Sequence, residues 1–400
     1  MPKKILKQFT IGIILSTLAI TAGYLISPIE VRFLKTLTPD SVLIGATYAI
    51  GSILFALISV WLGRMSDRIG RNRFIIIGAF IGIIYPLLYA STLNVFQYMG
   101  VKFAWAFSAA STGPIFMAYM QDLVKDLKEK GHYMSIMFAF QSLGGAIAMV
   151  LGGYLSDLYG LRAPYFVMSI LFVMTTLIAL RELTIEPIKD VRSQSRNKDF
   201  LFGIKYIFSK PALVFYFIIN SAQSLNFGIK YMLYPLIIFS ITKSDASTGL
   251  IMGTQGVVAF FVLLFIGKVA LKIGTYKFAF ITLFMLVLSG TILTQTQFIE
   301  VFWIAAGLYA LGEAMYGPVQ SVLIIDNVES KHRGEILGID AVFDRVYATL
   351  APFFAGLMLT VWSPQKVLLI FISLFWLTLG GGYTIYSRYI KNQIISKSLK

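Results

Sequence analysis

Apolar stretches of about 20 residues recur along the whole chain, and no other feature restricts the fold as strongly. A helix of that length crosses the hydrocarbon core of a bilayer with all its backbone N–H and C=O groups bonded internally. The stretches lie near residues 8–29, 41–62, 74–92, 96–121, 132–153, 163–181, 211–241, 249–271, 277–295, 299–325, 334–361 and 366–388. No gap between them would hold a soluble domain. Twelve spans predict an all-α membrane protein, and the 57% hydrophobic and 13% charged composition agrees, since soluble domains are about 25% charged. Lys3, Lys4 and Lys7 precede the first apolar run as in a secretory leader. That run has spanning length and lacks a small-x-small cleavage pattern before Glu30, so a retained helix is expected.

The net charge of +15 raises the question of nucleic acid, and its placement answers it. With both termini cytoplasmic, 26 basic residues fall on the cytoplasmic side and 5 on the other, with Lys102, Lys230 and Arg345 inside spans. This is the bias of the positive-inside rule, so the basic residues orient the chain and no nucleic-acid partner is expected. There is no cysteine, which removes disulfides, thiolate catalysis and cysteine-ligated metals. The two histidines, His132 and His332, lie in charged loops, and no metal site or cofactor is expected.

Arg181 to Lys210 is the longest polar stretch and divides the spans six and six. It predicts an N-terminal bundle over 1–181, a cytoplasmic linker over 182–210 and a C-terminal bundle over 211–400. The halves echo one another. Gly113-Pro114 and Asp122 recur as Gly317-Pro318 and Asp326, each 204 residues later. Gly63 and Gly70 recur as Gly267 and Gly274 at the same offset. Duplicated halves imply a pseudo-two-fold transporter with its site between them.

The loop between spans two and three reads Gly63-x3-Asp67-Arg68-x-Gly70-Arg71-x-Arg73. Here the chain resembles the major facilitator superfamily, whose signature loop has this pattern at this position. The resemblance extends over essentially the whole chain, and it implies two pseudo-symmetric six-helix bundles. It also implies a cytoplasmic clasp that holds that side shut in the outward-facing state. In it Asp67 meets the positive N-terminal end of span eleven, which begins Gly334-Glu-Ile-Leu-Gly338, while Arg71 pairs with Asp122. Drug–proton antiporters of this superfamily carry Gly-Pro-x-x-Gly-Gly in span five; here Gly152 and Gly153 are present without the proline. Their span-four arginine corresponds to Lys102, and Leu271 replaces the aspartate expected in the second-half copy of the loop.

Ionisable side chains within a bilayer cost at least about 2.5–3.5 kcal/mol each, so each is a functional candidate. Glu313, Asp344, Arg345, Lys230 and Lys102 are the candidates for proton coupling, and almost all of them lie in the second half. Two alternatives stand at this point: a structural ion-pair network, for instance Glu313 or Asp344 with Arg345 or Lys230, or a carboxylate that takes up and releases a proton. Asp340 and Asp344 share a helix face and disfavour each other's ionisation. Asp340, nearer the helix end, is expected to be structural. Tyr24, Ser108, Ser111, Gln141, Asn220, Gln223 and Asn226 are candidates to line the substrate cavity.

A proton-coupled exporter of amphipathic or drug-like compounds is the first functional expectation. The second is an uptake permease for a small polar metabolite such as a sugar, nucleoside or organic acid, for which the amides of span seven speak. A membrane enzyme or sensor lacks both a catalytic constellation and a soluble domain. The partners expected are a small-molecule substrate, protons and membrane lipids around a monomer, in the inner membrane of a prokaryote.

Overall fold

The computed structural model describes residues 3–124, 127, 130–183, 200–329 and 332–390. Their helices are α1 (Lys3–Tyr24), α2 (Glu30–Leu37), α3 (Ser41–Ile69), α4 (Arg71–Ser91), α5 (Val95–Ala110), α6 (Phe116–Val124), α7 (Lys130–Tyr159) and α8 (Ala163–Glu182). After them come α9 (Phe200–Ser209), α10 (Pro211–Thr242), α11 (Asp245–Ile273), α12 (Thr275–Gln295), α13 (Ile299–Asn327), α14 (Arg333–Met358) and α15 (Pro364–Ile385). A π-helical turn, Ser111–Ile115, joins α5 to α6 around Gly113-Pro114, so the pair acts as one bent rod.

Among the described residues nine helices are long and apolar enough to cross a membrane by length and composition. The α5–α6 rod, α13 and α14 complete a set of twelve that alternate in direction, in two six-helix bundles. Short side-chain caps set the helix starts: Asp40 accepts from the Val42 N–H, Asn94 from Gln97 and Ser244 from Ser247. Gly70 and Gly274, at the repeat-related positions, have φ of 103° and 88°. Each lets one helix stop and the next begin in a single residue, where a side chain would be strained.

Two expected boundaries shift. The first span ends at Tyr24, and the chain turns inward so that Glu30 starts the short helix α2 and is buried, instead of marking an outer loop. Within the expected linker, α9 is helical over 200–209, while 184–199 lies outside the described residues.

The two bundles meet along α7 with α11 and along α3 with α14. Glycine makes this possible: a Cβ on Gly249 would collide with the Met149 carbonyl, and one on Gly45 with that of Pro352. These approaches lie toward the end of the molecule opposite the Gly63–Arg73 loop. At the loop-bearing, basic end, Cβ atoms on Gly63, Gly131 and Gly338 would meet nothing within 4 Å. The halves are closed at one end and apart at the other.

Candidate functional site

Two cavities lie between the bundles and meet at Ile20 and Tyr24 of α1. The larger, about 700 Å³, runs along α7, α11 and α13 and reaches Gly131 in the first turn of α7, so it opens toward the basic end. The smaller, about 330 Å³, lies deeper, between α1, α3, α5, α10 and α14. The Tyr231 hydroxyl donates to that of Tyr24 at 3.2 Å, which makes this tyrosine pair the partition between them.

Among the described residues each half holds a lysine–glutamate pair whose ammonium is buried. In the C-terminal half, Lys230 on α10 donates to Glu313 on α13 at 2.7 Å, with its ammonium 4.6 Å from the Tyr309 ring centre. Both residues line the larger cavity. In the N-terminal half, Lys102 on α5 donates to Glu30 at 2.6 Å, and the Tyr98 hydroxyl donates to the same oxygen at 2.8 Å. Rings of Tyr48, Tyr89, Tyr98 and Trp105 stand 5.0–5.6 Å from that ammonium. Glu30 was not a candidate from sequence, because a charge at the end of an apolar run reads as the end of the membrane. The one available signal was Lys102 itself, since a buried ammonium needs an anion.

Replacing Glu30 by Gln leaves Lys102 buried and uncompensated, and is expected to destabilise the fold by about 3–5 kcal/mol. The Glu30→Gln, Lys102→Met double variant is expected to recover most of that loss in a double-mutant cycle of unfolding in detergent. Additive losses would show that the two residues do not act as a pair.

A third cluster joins α10, α13 and α14. The amide of Asn220 donates to Asp340 at 2.9 Å and to Asp344 at 2.8 Å, so one side chain bridges two carboxylates. Tyr216 and Gln320 also donate to Asp340, Ser224 donates to Asp344, and Tyr316 donates to Asn220 at 2.6 Å. Among the described residues no Lys or Arg lies within 4.0 Å of either aspartate. Gln320 also lines the larger cavity, linking Asp340 to it. Asp340, expected to be structural, thus shares the Asn220 donor with Asp344. Tyr216, Tyr316 and Gln320 were not singled out from sequence, since a hydroxyl or amide on an apolar helix is ordinarily a packing group. Arg345 turns away from Asp344 to the other bundle, its guanidinium carbon 4.5 Å from the Phe55 ring centre.

The remaining candidates divide. Tyr24 and Gln141 line the larger cavity. Ser108 is fully buried and donates to the Gly78 carbonyl at 2.7 Å, and Ser111 packs on the same glycine, so both serve contact of the bent rod with α4 and neither lines either of these two cavities. Asn226 is held between the hydroxyls of Tyr309 and Tyr234. Gln223 lines neither cavity. The amide run of α10 is thus taken up largely by helix–helix bonding.

At the basic end, Arg71 pairs with Asp122 at 2.8 Å and donates to Asp67 at 3.3 Å. Asp67 is exposed, and the close approach expected of Gly63 and Gly338 is absent, because the bundles are apart at this end. Gly334 lies in the first turn of α14. Arg68 sits in the last turn of α3, and Arg73 lies in the first turn of α4.

The opposite end carries a set of contacts between the halves that the sequence did not indicate. Asp157, at the end of α7, accepts from the Ser244 hydroxyl at 2.6 Å and from the backbone N–H groups of Asp245 and Ala246 at 3.0 and 2.9 Å. A carboxylate from one bundle therefore caps the first helix turn of the other. Asp245, 2% exposed, returns the contact by pairing with Arg32 and accepting from Ser156 at 2.7 Å. Arg32 also lies over the Phe239 ring at 3.5 Å.

Residues 10–236 and 216–385 match the family model described as Major Facilitator Superfamily. Multidrug resistance protein 2 of Bacillus subtilis is 24% identical over 373 residues, covering 90% of this chain and 91% of that protein. An uncharacterized MFS-type transporter of Methanocaldococcus jannaschii is 24% identical over 340 residues, covering 83% and 85%. Among solved structures, the nucleoside transporter NupG superposes with a TM-score of 0.77 at 16% identity over 95% of this chain and 99% of its own. A bacterial homologue of the human lysosomal transporter Spinster, inward-facing and unoccupied, gives 0.76 at 12% identity over 98% of both chains.

Proposed function

Because the chain belongs to the major facilitator superfamily and is a multi-pass membrane transporter, we propose that it exports amphipathic organic compounds by alternating access, coupled to protons. The observation that carries this reading is the pair of cavities between the halves, walled largely by aromatic and aliphatic side chains and flanked by a bridged carboxylate pair. The family relation to a protein named for multidrug resistance supports the direction and the substrate class. In this reading the basic end faces the cytoplasm, as the charge bias predicts. The conformation is then inward-facing, and the Gly63–Arg73 loop closes only when the bundles rock to the outward-facing state. Proton coupling belongs to Asp340 and Asp344, where two carboxylates share a donor and, among the described residues, pair with no cation within 4.0 Å. The Lys230–Glu313 pair is then an ion pair that holds α10 to α13 beside the cavity.

A small polar metabolite is the weaker reading, because the amides that favoured it are engaged within the bundle. The test is flux into proteoliposomes. An imposed pH gradient is expected to drive accumulation of an amphipathic fluorescent compound, and collapse of the gradient with a protonophore is expected to abolish it. Accumulation that ignores the gradient would reject proton coupling.

A further inference from the structure

The charges that line the two cavities do not all balance. Lys230 faces Glu313 in the larger cavity, and Lys102 faces Glu30 in the smaller. Arg345 also lines the smaller cavity, and among the described residues no carboxylate lies within 4.0 Å of it. Its neighbour Asp344 is bonded instead to Asn220 and Ser224. A guanidinium stays charged in a protein, so the smaller cavity presents one cation with no ion-pair partner within 4.0 Å among the described residues, the adjacent Asp344 acting on it only at longer range.

We infer that the smaller cavity binds an organic anion, its acidic group on Arg345 and its apolar body against the aromatic wall. The wall includes Tyr48, Phe55, Tyr85, Trp105, Phe172 and Phe227. The planar fork of arginine suits a carboxylate or sulfonate, which accept two parallel N–H bonds. A volume of about 330 Å³ is at the small end of the range for ligand pockets and fits a body of one or two rings. A lipophilic cation finds no free carboxylate here, because Lys102 already occupies the place beside Glu30 and among the rings. The arginine comes from α14 and its nearest ring, Phe55, from α3, so a bound anion touches both bundles and is sensitive to their rocking.

The inference rests on the transporter reading for what the cavity is for, and its test is separable from that reading. Binding to the purified protein would be measured with naphthalene-2-sulfonate, naphthalene-2-methanol and (naphthalen-2-ylmethyl)trimethylammonium, three probes of one ring system whose charges do not change with pH. The sulfonate is expected to bind at least about tenfold more tightly than the other two, the effect of one charge-assisted contact. Arg345→Gln is expected to remove that preference, and Arg345→Lys to keep part of it. Equal binding of the three probes, no binding of the sulfonate, or an unchanged preference in Arg345→Gln would overturn the assignment. The ranking in the unaltered protein tests for an anion-binding cavity even if the variants fail to fold, and equal binding of the probes there already overturns the assignment. Tight sulfonate binding without gradient-driven flux would keep the anion site and reject proton coupling; flux of the cation alone would do the reverse.

Discussion

Vesicles carrying the Asp340→Asn, Asp344→Asn double variant are expected to lose accumulation driven by a pH gradient while still exchanging substrate at equal concentrations on both sides. The two carboxylates lie one helical turn apart on α14, and Asn220 donates to both. Their other donors are neutral, namely Tyr216, Gln320 and Ser224. Neutral donors solvate a negative charge without cancelling it, so two ionised carboxylates here repel at close range. Binding and release of one proton is the response this arrangement favours. Asparagine keeps the shape and one acceptor oxygen of each side chain but cannot titrate. Loss of the coupling is expected to cut driven accumulation about 5–150-fold, the usual span of a coupling free energy between two sites. Exchange needs only the rocking of the bundles and should change little. Driven transport that survives in the double variant would reject the pair as proton carriers. A loss seen equally in exchange would show that the cluster holds the bundle together instead.

How much of this was legible in the sequence depends on the range of the interaction. The span pattern and the 204-residue repeat are local or periodic, and they carried the fold. The Arg71–Asp122 pair followed from the resemblance to the signature loop, whereas Lys230–Glu313 was one of several pairings the sequence left open among Glu313, Asp344, Arg345 and Lys230. Glu30 was missed because the break between α1 and α2 folds a chain segment back into the bundle, and hydropathy ends the membrane at the first charge. Ser108 and Ser111 pack on Gly78 of α4, a contact between helices that is not written in the spacing of either one. The direction of Arg345 could not be read at all, since Phe55 belongs to the other half of the chain. Likewise the bonding of Asn220 to two aspartates on α14 needs the packing angle of two helices, which no spacing within one helix records.

The contacts that close the end opposite the signature loop should be worth enough to set the resting conformation. Asp245→Ala is expected to shift the population toward a state open at that end. The carboxylate of Asp245 is buried, and in this conformation it accepts from Arg32 and Ser156, both on the other bundle. Once the bundles part there, Asp245 is wetted and its partners are water, so the contacts count in one state only. A hydrogen bond to a charged group contributes about 1.5–3 kcal/mol, and the loss of one such bond moves a two-state equilibrium by roughly 10- to 100-fold. Asp157→Ala should act in the same direction but less strongly, because it removes a helix cap worth about 0.5–2 kcal/mol. The chain has no cysteine, so spin labels can be placed without background at Tyr159→Cys and Lys243→Cys, exposed positions at the ends of α7 and α10 on opposite bundles. Their distance distribution should be short and narrow in the parent and gain a longer component in Asp245→Ala. Restoring a carboxylate with Asp245→Glu should reduce that component, whereas a mere loss of folding would not be rescued in this way. An unchanged distribution in Asp245→Ala would mean that glycine-mediated packing of α7 on α11, rather than the charged contacts, holds this end shut.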